Sequence, residues 1–335
     1  MKRAYIIAEG GVNHNGSLEL ARELVRAAAA GGADAVKFQT FRAARIAAAN
    51  APKAEYQLAT TDAAESQMDM LSRLELDEAD HRALMACCVE QGVAFLSSPF
   101  DIDSIELLAK LGMATWKIPS GELTNLPYLQ RIGGLGGNVI LSTGMADLGE
   151  VEAALAALAE AGTPPSRTTL LHCSSQYPTP FADANLRAMQ TLTAAFPGRQ
   201  VGYSDHTLGI EVSVAAVALG ATVIEKHLTL DKSLPGPDHA CSLDPPEFAA
   251  MVSAIRHVEQ AMGDGVKRPT AAEHASRAVA RKSVVAAKGI APGEAFSAEN
   301  LTTKRPGTGI SPMRLPDLLG RAAPRRFAPD ELIEL

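Results

Sequence analysis

Residues 201–227 read VGYSDHTLGIEVSVAAVALGATVIEKH, and this stretch decides the fold. Two short apolar runs, VGYSD from Val201 and TVIEKH from Thr222, flank a segment whose apolar residues return at helical spacing. Neither run alternates apolar with polar residues, which is the pattern of strands buried on both faces. A strand, a helix and a second strand of this kind make a parallel βαβ unit. The same texture recurs on the N-terminal side in YIIAE (from Tyr5), AVKFQ (Ala35), AFLSS (Ala94), TWKIPS (Thr115), NVILST (Asn138) and TLLHC (Thr169). Eight alternations predict a (β/α)8 TIM barrel, whose active site lies at the C-terminal ends of the strands. Those ends carry Glu9, Lys37, Gln39, Ser98, Lys117, Ser120, Ser142, Tyr177, Ser204, His206 and His227. One mouth is therefore expected to gather acids, lysines, hydroxyls and two histidines.

The chain has 335 residues, more than the roughly 250 of a usual barrel, so a second, smaller unit is expected. Three parts are read: residues 1–264 as the barrel, 265–280 as a polar, basic linker with some helix, and 281–335 as a small β-rich domain. The last part, with SVVAAKGIAPGEAFSAENLTTKRPGTGISP, has short β-branched pieces between glycine and proline turns. About 55 residues build little core unaided, so this module is expected to dock on something else. Ser17 is positioned to cap LELARELVRAAAA, which Gly31-Gly32 ends, and Asp244-Pro245-Pro246-Glu247 opens the last long barrel helix. The stretch from Ala43 to Met70 lacks a strand and exceeds a usual βα loop, the signature of a lid or substrate wall.

A net charge of −7 argues against nucleic acid or an anionic membrane as partner, though local lysines still admit an anionic substrate. Cys87, Cys88, Cys173 and Cys241 lack metal-ligand spacing and read as reduced thiols. The N-terminal MKRAYIIAEGG is too short in apolar residues for a signal peptide, and no apolar stretch is long enough to span a bilayer. A soluble, cytoplasmic protein is the expectation.

His206 and His227 follow neighbouring strands, so their imidazoles can converge on one divalent cation, with Asp205 and Glu225 beside them to orient the rings. Two nitrogens completed by oxygen donors suit Mn²⁺, Mg²⁺ or Co²⁺ better than a structural zinc. Lys37 and Lys117 end strands two and four, and a lysine within an apolar strand is costly unless it meets an anion. With the hydroxyls of Ser98, Ser120, Ser142 and Ser204 they form a candidate phosphate cradle, which implies a phosphorylated substrate. Glu9 is a candidate acid, base or stabiliser of developing positive charge. His14 and His172 read as structural.

The strings AEGGVNHNGS, VKFQTF, SSPFD, WKIPSGELTNLPYL, ILSTGM, LLHCSSQYPTPF, GYSDHT, IEKH and GPDH, in this order, resemble the sialic acid (N-acetylneuraminate) synthase family. KRPGTGIS resembles the signature of that family's C-terminal antifreeze-like (SAF) domain. The resemblance implies condensation of phosphoenolpyruvate with an open-chain N-acyl mannosamine-type sugar, giving a nine-carbon 2-keto acid and phosphate. It places Lys37, Ser98, Lys117, Ser120, Ser142 and Ser204 on phosphoenolpyruvate and His206 and His227 on the metal. Glu9, Gln39, Glu122, Tyr177 and Asp238 fall around the acceptor and the reacting carbons. Ser98 stands where the family's STPF version has threonine, which keeps the hydroxyl, and Ser175 stands where some members carry asparagine on the phosphoenolpyruvate side. Arg305 matches an arginine that one subunit sends into its partner's active site, which implies a domain-swapped homodimer. The expected product is N-acetylneuraminate from N-acetylmannosamine, with synthesis of legionaminic or another diacetylated nonulosonic acid as the alternative. More distant alternatives are a Schiff-base aldolase using Lys117 or Lys37 and a non-enzymatic sugar- or ice-binding role of the C-terminal module.

Overall fold

The computed structural model describes residues 3–48, 51–53, 58, 61 and 65–335. The chain divides into two compact units, Met1–Asp264 and Gly265–Leu335. Eight parallel strands make the first: β1 (Tyr5–Gly11), β2 (Ala35–Thr40), β3 (Ala94–Pro99), β4 (Thr115–Ile118), β5 (Asn138–Ser142), β6 (Thr168–His172), β7 (Gln200–Asp205) and β8 (Val223–His227). Their order is β3-β2-β1-β8-β7-β6-β5-β4, and β3 and β4 lie side by side to complete the ring. This is the expected TIM-type barrel. Every apolar run read from the sequence is a strand, with ends that differ by a residue or two.

Local chemistry sets the helices between the strands. Ser17 accepts a hydrogen bond from the Leu20 amide at the start of helix Leu18–Ala30. The two glycines that end this helix do different jobs. Gly32 takes the left-handed conformation (φ 84°), whereas a Cβ on Gly31 would lie 2.8 Å from Phe248 Cδ1, so Gly31 permits close helix packing. Asp244 and Glu247 form a reciprocal capping box that opens helix Pro245–Ala261. Of the lid or wall expected between Ala43 and Met70, part lies outside the described residues. The described parts include helix Ala43–Ile46 and the start of helix Gln67–Ser72. Among the described residues no helix is long and apolar enough to cross a membrane.

The lumen is layered by the two-residue period of the strands. Ile7, Ala35, Leu96, Ile140, Leu171 and Val223 form a buried apolar plug inside the barrel. Two residues further along the same strand faces stand Glu9, Lys37, Ser98, Ser142, Cys173 and Glu225. The plug closes the floor, and the next layer up is polar.

In the second unit β9 (Ser283–Ala286) pairs antiparallel with β10 (Leu301–Lys304), Ser283 opposite Lys304. Val284, Ile290, Phe296, Leu301, Phe327 and Ile333 are among the residues of a small core of its own. The stretch read as a linker contains helix Ala271–Ala280, opened by a Thr270–Glu273 capping box.

Candidate active site

The polar layer and the strand ends above it enclose a cavity of about 300 Å³. Its lining brings together Glu9, Lys37, Gln39, Ser98, Lys117, Ser120, Ser142, Ser175, Tyr177, Ser204, His206 and His227, drawn from separate strands. Glu225 and Cys173 also line it. A larger cavity, about 680 Å³, opens at the opposite end among the first residues of the strands, including Ala94, Thr115, Asn138 and Val223. Arg167 is the one charged side chain among its described lining residues, so the smaller, polar cavity is the candidate site.

Four buried charges meet in the lumen. Lys37 contacts Glu9, donates to Ser98 Oγ at 3.1 Å and lies 3.7 Å from Glu225. Lys117 sits 3.2 Å from Glu225 Oε1, which also accepts the Ser204 hydroxyl at 3.0 Å. Burial drives the Glu225 carboxyl up, but Lys117 and Lys37 overcome it and hold its pKa at about 2. Glu9 goes the other way. Burial outweighs its contact with Lys37, and the negative Glu225 adds to burial, so its pKa rises to about 7. Burial works against charged Lys37, yet Glu225 and Glu9 raise its pKa overall; at Lys117 burial prevails over Glu225 and the pKa falls.

The hydroxyl side is built around a glycine. The Gly144 amide donates to Ser120 Oγ at 3.0 Å, and a Cβ there would fall 2.5 Å from Ser175 Oγ and 2.8 Å from Ser120 Oγ. Only glycine leaves this cradle open. Ser142 Oγ is buried, belongs to the cavity lining and finds no hydrogen-bond partner among the described residues.

His206 and His227 stand with ring centroids 5.5 Å apart, and the Tyr177 ring lies 4.1 Å from that of His206. Nδ1 of His206 donates to the Ser174 carbonyl at 2.5 Å, which leaves Nε2 with its lone pair. His227 Nδ1 is buried without a hydrogen-bond partner among the described residues, 3.9 Å from Asp238 Oδ2. Burial lowers the pKa of both rings, that of His206 to about 4, so both are neutral donors. This donor pair fits a divalent cation whose remaining ligands are oxygens. Among the described residues no group of three or more His, Cys, Asp or Glu is arranged for a metal.

Asp205 and Glu225 do not orient the imidazoles as the sequence suggested. Glu225 faces the lysines. Asp205 points out of the lumen and pairs with buried Lys226 at 2.9 Å, while accepting from Thr207 N (2.9 Å), Thr207 Oγ1 (2.8 Å) and Ser213 Oγ (2.7 Å). Lys226 also donates to the Thr207 carbonyl at 2.5 Å. The pair clamps β7 to β8 on the outer face, directly behind the two histidines. Glu122 lies outside the cavity lining, where its carboxylate accepts from Asn125 Nδ2 at 2.6 Å. Asp238 borders a neighbouring cavity, and burial raises its pKa to about 6. Arg305 belongs to the second unit, where Nε donates to the Ala280 carbonyl at 3.0 Å. All four cysteines are buried free thiols.

Residues 24–267 match the NeuB family, and residues 281–334 match the SAF domain. The chain belongs to the NeuB family. It is 53% identical over 99% of both chains to the N,N'-diacetyllegionaminic acid synthase of Campylobacter jejuni. It is 48% identical to the enzyme of the same name from Legionella pneumophila, over 94% of this chain and 89% of that one. The solved N-acetylneuraminic acid (sialic acid) synthetase of Leptospira borgpetersenii superposes with a TM-score of 0.71 at 33% identity, covering 82% of this chain and 90% of that one. As a NeuB-family member the chain is an enzyme, a carbon–carbon bond-forming synthase of nonulosonic acids. Glu225 and Cys173 are cavity-lining residues that sequence reasoning missed as such, and Glu225 is the charged one. Its signal is in β8, where Val223, Glu225 and His227 alternate onto one face.

Proposed function

We propose that this NeuB-family enzyme condenses phosphoenolpyruvate with 2,4-diacetamido-2,4,6-trideoxymannose to give N,N'-diacetyllegionaminic acid and phosphate. The alternative reading from the sequence thus replaces N-acetylneuraminate as first choice. The observation that carries it is the contrast between 53% identity to a legionaminic acid synthase along the whole chain and 33% to a sialic acid synthetase.

The lumen supports the chemistry. Lys37 and Lys117, with Ser98, Ser120, Ser142, Ser175 and Ser204, offer cationic and hydroxyl donors for the phosphate and carboxylate of phosphoenolpyruvate. C3 of phosphoenolpyruvate attacks the acceptor aldehyde, and the aldehyde oxygen takes up a proton. Water then adds to C2 and loses a proton, and the tetrahedral intermediate breaks its C2–O bond to release phosphate. Glu9, with a pKa of about 7, exchanges protons in both directions at neutral pH and, ionised, stabilises cationic character at C2. Tyr177 and Gln39 border the acceptor side, Gln39 donating to Glu9 Oε1 at 3.4 Å. A divalent cation held by His206 and His227, with Mn²⁺ the first choice and Mg²⁺ or Co²⁺ as substitutes, would polarise the aldehyde as a Lewis acid.

A homodimer in which Arg305 reaches the neighbouring subunit's site completes the proposal. Its planar fork of donors suits the acceptor's N-acyl or hydroxyl oxygens.

Phosphate release from phosphoenolpyruvate, measured with three acceptors, tests the assignment. We expect turnover to be fastest with 2,4-diacetamido-2,4,6-trideoxymannose, slower with N-acetylmannosamine and slowest with its 6-phosphate. Preference for either of the last two would overturn the assignment.

A further inference from the structure

The backbone ladder between β7 and β8 ends at the pair Asp205–Lys226, one residue short of both His206 and His227. His227 is still held on its other side, where it pairs with Glu9 of β1. His206 has left its strand, so its spacing from His227 needs another tie. The side chains of the last ladder pair supply one. Lys226 Nζ donates to the Thr207 carbonyl, so a residue of β8 grips the chain just beyond His206. Asp205 grips the same turn from the near side, accepting from Thr207 N at 2.9 Å and Thr207 Oγ1 at 2.8 Å. It also accepts from Ser213 Oγ of helix Glu211–Ala218 at 2.7 Å, and its own Oδ2 meets Lys226 Nζ at 2.9 Å. Thr207 and Ser213 are fully buried, and the side chains of Asp205 and Lys226 are 0% exposed. Among the described residues the pair makes no hydrogen bond to either imidazole.

Stability alone does not account for such a pair. Desolvating two charges costs about what their attraction returns, and neutral groups of the same shape often serve as well. Geometry is what the pair fixes. We infer that Asp205 and Lys226 are positioning residues for the metal: they hold the backbones of His206 and His227 at the separation at which two neutral imidazole nitrogens share one divalent cation. The inference rests on the metal reading under the proposed function and deepens it. Ring orientation has a separate source, since the Ser174 carbonyl accepts from His206 Nδ1. Backbone spacing is the remaining variable, and metal–nitrogen distances are set to within about 0.2 Å. The ammonium of Lys226 reaches residues on both flanks of His206 from the position next to His227, so one group sets that spacing. The ion pair therefore lies wholly outside the lumen and acts on the metal through the chain.

The test is the double variant Asp205→Asn/Lys226→Met in the full-length protein. Asparagine keeps an acceptor for Thr207 and methionine keeps the length of lysine, so both charges go, the shape stays and the tie to the Thr207 carbonyl is lost. The melting transition should persist. The Kd for Mn²⁺, read by electron paramagnetic resonance without substrates, should rise about tenfold or more, the scale on which groups behind a metal ligand act. The KM for phosphoenolpyruvate at saturating Mn²⁺ should hold. Lys226→Gln, one atom shorter than lysine, keeps a donor for Asp205 and withdraws it from the Thr207 carbonyl, and it gives the same reading if the double variant does not fold. A folded variant that binds Mn²⁺ as tightly as the wild type overturns the inference. A loss of Mn²⁺ affinity matched by an equal loss for phosphoenolpyruvate also overturns it, because the pair then only stiffens the barrel. Mn²⁺ bound equally by the wild type and His206→Ala defeats instead the metal reading on which the inference rests, a result obtained without the clamp variants.

Discussion

Lys117→Met separates what the lumen charges do for the fold from what they do for substrate. Nζ of Lys117 lies 3.2 Å from Glu225 Oε1, and both side chains are almost wholly buried. Removing one partner of a buried ion pair costs about 3–5 kcal/mol, mostly because the remaining charge is stranded. Lys37 stays 3.7 Å from the same carboxylate, so the low end applies, about 3 kcal/mol. In a barrel of this size that loss lowers Tm by roughly 6–12 °C. Adding Glu225→Gln removes the stranded charge and should restore most of it. Binding should behave differently. A charged hydrogen bond to phosphoenolpyruvate contributes about 1.5–3 kcal/mol, so Lys117→Met should raise its KM at least about tenfold. The double variant should remain weakened by a similar factor relative to Glu225→Gln alone, the comparison that isolates the lysine. Melting curves and initial rates at varied phosphoenolpyruvate and acceptor supply both readouts. A rise in the acceptor's KM with phosphoenolpyruvate unaffected would refute the phosphate cradle. Recovery of phosphoenolpyruvate affinity in step with Tm would make the role of Lys117 structural.

Three further outcomes are expected. His206→Ala and His227→Ala should each abolish Mn²⁺ binding, read by electron paramagnetic resonance, and metal-dependent turnover while the melting transition persists; full activity in excess chelator removes the metal from the mechanism. Mixing Arg305→Ala subunits with Lys117→Met subunits should return part of the activity, because one site in each mixed dimer is intact; no recovery after verified subunit exchange defeats the swapped arrangement. Burial holds His14 at about 4 and lowers His81, His172, His206, His227 and His239 as well, so the fold binds fewer protons than the unfolded chain. Stability present above about pH 6.5 should therefore be lost as pH falls from 6.5 towards 4. Glu9 and Asp238, with raised values, slope the opposite way, but two carboxyls oppose six imidazoles. A Tm that rises on acidification through that window contradicts this accounting.

The barrel was legible because each strand is a short, mostly apolar run without polar alternation, a signal that needs no partner to interpret. The strand-end residues were legible for the same reason, since a period of two sends Glu9, Lys37, Ser98 and Ser142 inward above the plug. What failed was pairing. Asp205 and Glu225 adjoin the histidine motifs in sequence, yet their partners come from elsewhere: Lys226 on the outer face for one, Lys117 and Lys37 across the lumen for the other. Asp205 adjoins His206 and so takes the opposite face, whereas Glu225 shares a face with His227 but stands one layer deeper, among the lysines. The lid or wall expected between Ala43 and Met70 was legible only in outline. Ile46, Met70 and Leu71 lie in a segment with no sustained period, so only the folded chain shows that they share a wall with Val12 and Phe41. The C-terminal module's own core was missed because its apolar residues are spread between turns rather than gathered in runs.

The two lumen carboxylates show how one pocket sorts like groups into unlike roles. Glu225 faces both lysines and accepts from Ser204, so its charge is held down to a pKa of about 2. Glu9 shares only Lys37 at close range and feels Glu225 as a like charge, which leaves it near 7. Environments that push paired carboxyls apart in this way mark the fixed counter-ion and the proton carrier. On the proposed reading, the anionic phosphoenolpyruvate takes up the cationic support that Lys37 lends Glu9. A carboxyl already balanced near neutrality then moves further toward its protonated form. Glu9 would thus carry its proton when the acceptor aldehyde arrives and surrender it as the new oxygen charge forms. Its ionised form is then in place for the cationic C2 and for the water that adds there. Glu225, held at about 2 by the two lysines, in turn works against the burial that lowers the pKa of Lys117.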